Sequence, residues 1–285
     1  MDEVSTTPGR IRGRVTSRDG TPIAYERYGD GPPLVLVSGA LGTAAGERAL
    51  GGLLAGRFSV VAYDRRGRGA SGDTRPYAVE REIEDLAAVV GEAGAGAALH
   101  GTGTGGALAL AAVAAGVPAG PVSLYEPPYA AEERERWRRV AALLDRGRRA
   151  AALDLFLAHS AGSPGPPPGV TELRPGIAEA ARMLAYDVVV VGDGVGLGVG
   201  VGDGDGDSDG RVPERWLARV HARVLVVDGG ASPVGTRQAA RALAAALPRA
   251  RHRTLTGQTH EVAPHVLAPV VEEFLTEDRE AAGVA

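Results

Sequence analysis

The chain has 285 residues, 31 basic against 35 acidic side chains, a net charge of −4, 44% hydrophobic residues and no cysteine. That balance offers no basic field to nucleic acid or to an anionic membrane, and it excludes disulfides, thiolate nucleophiles and cysteine-ligated metals. Lysine and asparagine are also absent, so every basic side chain is arginine, and a lysine Schiff base or lysine general base is excluded too.

Residues 21–29, TPIAYERYG, alternate weakly and predict an early strand. PLVLVSGA (33–40) is a short continuous apolar run, as expected of a strand buried on both faces. FSVVAYDRRGRGASGD (58–73) predicts another buried strand running into a charged, glycine-rich turn. In 80–93, Ile83, Leu86, Ala87 and Val90 fall at helical spacing. A strand follows at 96–101, then a small-residue helix over 105–116 closed by Gly116, then a strand in PVSLYEPPY (121–129) stopped by two prolines.

The middle of the chain differs. Residues 131–159 predict one or two amphipathic helices rich in Arg and Glu, 161–169 a proline loop, and 192–210 a low-complexity run of Gly, Val and Asp that is expected to be mobile. Alternation resumes with a strand at 222–230, a helix at 234–247, a strand near 251–255 and a last helix from about 262 to 275. The pattern predicts an α/β protein: a mostly parallel central sheet flanked by helices, with core residues 1–129 and 213–285. Residues 130–212 are expected to form an inserted helical lid carrying a flexible loop at about 192–210.

LHGTGTGGALAL (99–110) reads as a strand end, a tight glycine turn and a helix start, the setting of a G-x-S-x-G nucleophile, but Gly103 stands at its centre. LVLVSGALG, VAYDRRGRGASG, HGTGTGGALAL, LVVDGGASP and LTGQTHEVAP, in that order, resemble the α/β-hydrolase fold superfamily over all of the chain except 130–212. The resemblance places the nucleophile position on Gly103, the usual acid position on Ser232 and the histidine on His260. It implies a divergent member lacking nucleophile and usual acid, in which no acyl-enzyme can form. The backbone N–H groups of Ala40 and Thr104 are expected to make the oxyanion hole. Ser38, Gly39, Leu41, Gly103, Tyr125 and Ser232 are expected to line the substrate site.

His260 is the expected acid–base group. Glu126 ends the sixth strand, where some superfamily members carry their acid, and is its candidate partner; a structural carboxylate fixed by EPPY is the preferred reading. Asp228 ranks below it. Thr102 and Thr104 sit one step off the apex, where their hydroxyls should miss the line of attack. His100 is expected to be buried and hydrogen-bonded, and His159, His221, His252 and His265 are too scattered for a metal site. Asp205, Asp207, Asp209 and Gly210 open like a calcium loop, but Trp216 stands where the bidentate Glu belongs. Arg134, Arg136, Arg138 and Arg139 around Trp137 suggest a solvated face paired with nearby Glu.

The functional expectation is a cofactor-independent, non-hydrolytic enzyme acting on a small, largely apolar, carbonyl-bearing molecule: cyclisation, isomerisation, elimination or C–C bond chemistry, in a biosynthetic setting. The alternatives are a hydrolase with an atypical nucleophile or His-activated water, and a non-catalytic ligand-binding protein. No cofactor is implied. A phosphate loop would need a lysine, and the G-x-G-x-x-G letters at 101–106, with Glu126 as a ribose acid, fall on the fifth strand rather than in a first βαβ unit. With Ser232 at the acid position, Gly103→Ser alone is not expected to restore efficient ester hydrolysis unless Glu126 or Asp228 substitutes for the missing carboxylate. Residues 1–10 lack a signal-peptide pattern and no run is long enough for a membrane helix, so neither membrane nor nucleic acid is an expected partner, and the location is expected to be cytoplasmic.

Overall fold

The computed structural model describes residues 10–160, 176–194 and 214–282. Eight strands form one sheet: β1 (Ile11–Thr16), β2 (Pro22–Tyr28), β3 (Pro33–Val37), β4 (Ser59–Tyr63), β5 (Ala98–Thr102), β6 (Val122–Tyr125), β7 (Val224–Gly229) and β8 (Ala250–Leu255). Their spatial order is β1-β2-β4-β3-β5-β6-β7-β8; β2 pairs antiparallel with both β1 and β4, and all pairings from β4 to β8 are parallel. The expected α/β class and mostly parallel sheet are what the chain forms. Composition marks some strands plainly: β3, β4 and β7 are built on apolar runs, as strands covered on both faces require. IRGRVT in β1 is a largely exposed edge with no such run, and it escaped the sequence reading.

Helices cover both faces. On one lie α2 (Val79–Ala93), α3 (Thr104–Ala114) and α8 (Val234–Ala246); on the other, α1 (Arg48–Leu54) and α9 (Pro264–Ala282). Helix α3 is buried on every side, which explains why its sequence is uniformly apolar and small instead of amphipathic. Between β6 and β7 the chain inserts α4 (Ala131–Asp145), α5 (Arg149–Ser160), α6 (Ile177–Val189) and the short α7 (Glu214–Leu217). The Arg- and Glu-rich segment is thus two helices, broken where Gly147 takes φ 70°. Helix α6 runs on into a wider π-type turn at Val190–Gly194 whose Val190 and Val191 are buried, so the run expected to be mobile from 192 begins inside a helix end. The rest of that run, with its calcium-like letters, lies outside the described residues.

The chain passes from β3 outward to β4 and then back across to β5, so the loops after β3 and β5 leave neighbouring strands in opposite directions. Such a switch point opens a crevice at the carboxyl ends of the strands, and ligands bind there. Among the described residues no helix is long and apolar enough to cross a membrane.

Candidate active site

The crevice holds a cavity of about 700 Å³. Its floor is the loop after β3 (Gly39, Ala40, Leu41) and the turn after β5 (Thr102, Gly103, Thr104). One wall carries Glu126, Ser232 and His260, and the ceiling is made by Trp137 of α4 with Phe156 and Leu157 of α5.

Gly103 sits at φ 54°, ψ −123° immediately before α3, and its N–H donates to the Tyr125 carbonyl (2.9 Å). This is the strained strand-to-helix turn that presents a nucleophile in G-x-S-x-G proteins, built here with no side chain to present. A Cβ at Gly103 would lie 3.4 Å from His260 Cε1 and 3.6 Å from Nε2, in ordinary contact. The turn survives because its neighbours require it: a Cβ at Gly105 would collide with the Val37 and Ser38 carbonyls, so only glycine lets α3 start against the end of β3.

His260 lies in the loop between β8 and α9, and its Nδ1 is 3.0 Å from Glu126 Oε2. The second oxygen of Glu126 accepts the Gly229 N–H at 2.8 Å. Glu126 is 3% exposed and holds φ 44°, a conformation that aims the side chain from the end of β6 across to His260. Burial pushes its carboxyl pKa up, but the hydrogen bonds from His260 and Gly229, with the Ser232 hydroxyl beside it, outweigh that and leave it below the usual carboxylate value. An ionised Glu126 makes His260 Nδ1 the donor, which leaves the Nε2 lone pair on the Gly103 side. Glu126 thus makes the backbone bond that the structural reading expects and also the contact with His260 that the partner reading expects.

Asp228 does not compete. Its Oδ2 is 2.6 Å from His252 Nε2, a pair between β7 and β8 outside the cavity lining. Two expected lining residues are also corrected. Tyr125 is fully buried in the core on the α1/α9 face, where its hydroxyl donates to the Thr259 carbonyl, and Ser38 is fully buried beneath Gly42. Both sit at strand ends whose side chains alternate away from the crevice. Gly39, Leu41, Gly103 and Ser232 do line it. The Ala40 and Thr104 amides lie at the floor, and among the described residues neither has a hydrogen-bond partner. The Thr104 hydroxyl faces away and donates to Asp187 Oδ1 (2.9 Å), so it is no nucleophile. His100 is buried against Ser123 Oγ (3.2 Å), and burial lowers its pKa to about 4. His221 and His265 are exposed, and the His159 side chain lies outside the described residues. No group of three His, Asp or Glu that could hold a metal occurs among the described residues.

The arginine-rich face divides. Arg138 pairs with Glu135 in solvent, but Arg136 turns inward: it pairs with Glu133, stands over the Trp137 and Phe156 rings at 5.9 and 5.8 Å, and lines the cavity. Sequence reading missed Glu47, which precedes α1 and lines the cavity, its carboxyl without a hydrogen-bond partner among the described residues. Burial pushes its pKa up from 4.5 to about 7. Unfolding would restore the lower value, so the folded state is favoured below about pH 4.5 and loses that advantage as pH rises to 7. Glu47→Gln is therefore expected to stabilise the protein by roughly 2–3 kcal/mol at about pH 8 and negligibly at about pH 4.5; urea unfolding of both proteins at the two pH values checks this.

The profile of the Alpha/beta hydrolase family matches residues 34–279. No curated protein matches the chain. Among solved structures, an alpha/beta hydrolase from Sphaerobacter thermophilus is 44% identical, with 93% of this chain and 100% of that one covered and a TM-score of 0.75. A thermophilic esterase from Thermogutta terrifontis (20% identity, 94% and 98% covered, TM-score 0.67) and the enol-lactonase from Burkholderia xenovorans (20%, 93% and 100%, 0.68) share the fold. The extent of the family match and the identity to the Sphaerobacter protein agree with the sheet, the turn and the histidine loop described above: the chain belongs to the α/β hydrolase family.

Proposed function

We propose that this protein is a cofactor-independent, non-hydrolytic enzyme in which the His260–Glu126 pair moves a proton on a small carbonyl-bearing substrate. The observation that carries the reading is an oriented imidazole facing the space that a nucleophile's side chain would fill. A substrate C–H or O–H can enter that space, with its carbonyl oxygen on the Ala40 and Thr104 amides. His260 Nε2 takes the proton, and the two N–H groups hold the enolate charge that develops. A general base with oxyanion donors supports isomerisation, elimination, cyclisation or retro-aldol cleavage without a covalent intermediate.

The relatives' names, esterase and enol-lactonase, favour a second reading in which His260 activates a water in the same space. Proton abstraction from substrate ranks first because Gly103 leaves a water only the imidazole to orient it, whereas a substrate proton is positioned by the rest of the bound molecule. Incubating the protein with a panel of ketones, enones and lactones in D₂O separates the readings by product mass. The proposal expects deuterium at the carbon α to the carbonyl, or an isomer or fragment, and a loss of about 10²–10⁴-fold in His260→Ala. Products heavier by one water support hydrolysis, and binding without exchange or product marks a non-catalytic ligand carrier.

A further inference from the structure

Asp187, from the inserted helix α6, is wholly buried and receives four hydrogen bonds. Its Oδ1 accepts from Arg65 Nη1 (2.8 Å), Arg68 Nη2 (2.7 Å) and Thr104 Oγ1 (2.9 Å), and its Oδ2 from the Leu41 N–H (3.4 Å). Arg68 reaches on through Nη1 to the carbonyls of Gly39 (2.8 Å) and Gly42 (3.3 Å). Arg65 is held from behind by both oxygens of Glu82 (2.6 and 2.7 Å), to which Tyr77 also donates (2.6 Å). Two guanidinium groups and two carboxylates balance, which a dry interior requires. Burial alone would raise the Asp187 carboxyl; Arg68 and Arg65 overcome this and keep it ionised.

We infer that Asp187 and Arg68 are positioning residues that aim the oxyanion-binding amides of Ala40 and Thr104 into the cavity, so that the inserted helix α6 is part of the catalytic apparatus. The inference rests on reading those two amides as the donors in the proposed site. The peptide group is planar and trans, so an N–H points opposite to the carbonyl of the same unit. Arg68 and the Gly42 N–H hold the Gly39 carbonyl on the core side, which turns the Ala40 N–H outward to the cavity that Gly39 and Ala40 line. One unit along, Asp187 holds the Leu41 N–H. This bond keeps Leu41 in a left-handed conformation, φ 58°, that a branched residue adopts only when its surroundings impose it. The same carboxylate fixes Thr104 by its hydroxyl, and with it the start of α3. A buried anchor needs no ionic groups to hold a helix down; this one places its acceptors on the two backbone segments whose amides face the substrate.

The test uses the full chain in two backgrounds. In Gly103→Ser, where ester hydrolysis reports the oxyanion site whatever the native substrate is, Asp187→Asn is expected to lower kcat for p-nitrophenyl acetate about 10²-fold, with KM changed less than about threefold and the pH profile unmoved. Thr104→Val, a near-isosteric change that keeps the fold if Asp187→Asn does not, is expected to lower kcat about tenfold. Folded variants that both stay within about threefold overturn the inference and leave the network a structural anchor. In the native background, amide hydrogen exchange reads the geometry without any activity: the Leu41 N–H is expected to be protected and to lose at least about tenfold of that protection in Asp187→Asn. An unprotected Leu41 N–H overturns the inference even if the proposed proton-transfer chemistry holds, and a failure of that chemistry leaves both measurements able to decide.

Discussion

Gly103→Ser is expected to turn this protein into an ester hydrolase. The unchanged protein should be inert to fluorophosphonates and to p-nitrophenyl esters, because no hydroxyl stands at the apex of the turn. With serine there, Cβ falls 3.6 Å from His260 Nε2, within reach of an Oγ–Nε2 hydrogen bond, and His260 is already oriented by Glu126. The usual acid position, Ser232, suggests that such a variant would fail for want of a carboxylate; the carboxylate is present, delivered from the end of β6 instead of the loop after β7. Loss of the nucleophile from an assembled triad costs on the order of 10⁶ in kcat, so a gain of at least about 10³-fold in p-nitrophenyl acetate hydrolysis, with stoichiometric labelling at position 103, is a conservative expectation. The variant should also lose about 1–3 kcal/mol of stability, since a side chain at φ 54° is strained. Absence of labelling in a folded variant would show that the histidine and the turn are not in register, and labelling of Thr102 in the unchanged protein would promote the hydrolase reading.

The second large effect separates the two candidate acids. In the Gly103→Ser background, Glu126→Gln is expected to reduce kcat by about 10⁴-fold, because the imidazole then lacks the partner that sets its tautomer and stabilises its charged form. Asp228→Asn should change kcat by less than about threefold, since Asp228 is bonded to His252 and lines no part of the cavity. Steady-state kinetics of the three proteins at fixed pH are sufficient. A larger loss in Asp228→Asn than in Glu126→Gln would mean that the acid is supplied from β7 after all.

The contrast between what the sequence announces and what it conceals follows from physics. Strands β3, β4 and β7 are legible because strands buried on both faces tend to be apolar runs. The elbow is legible because only glycine tolerates the approach of α3 to Val37 and Ser38. Glu126 was visible as a residue but not as a partner, because its link to His260 spans 134 positions and depends on a positive φ that no local pattern encodes. Tyr125 and Ser38 lie beside cavity residues in sequence, but side-chain alternation sends each into the core.

Asp187 did leave a trace. It is the single charge in MLAYDVVVV, and DRRGRG presents three arginines in four positions. A lone acid inside an apolar helix and a cluster of cations at a strand end both imply buried partners, but only the folded chain shows that they are one another's. Arg136 escaped for the opposite reason: nothing in an Arg- and Glu-rich helix distinguishes the turn that faces a cavity from those that face water.

The assembled dyad is open to direct observation without any substrate. Two-dimensional ¹⁵N–¹H NMR of the imidazole nitrogens, taken with the ring in its neutral form, reports which nitrogen of His260 carries the proton and whether that proton is hydrogen-bonded. The expected spectrum shows His260 protonated on Nδ1, with the proton shifted downfield by Glu126 and Nε2 bare, and the downfield signal disappears in Glu126→Gln while the fold is retained. A His260 protonated on Nε2, or a spectrum indifferent to Glu126→Gln, would contradict the assignment of this pair as the protein's general base.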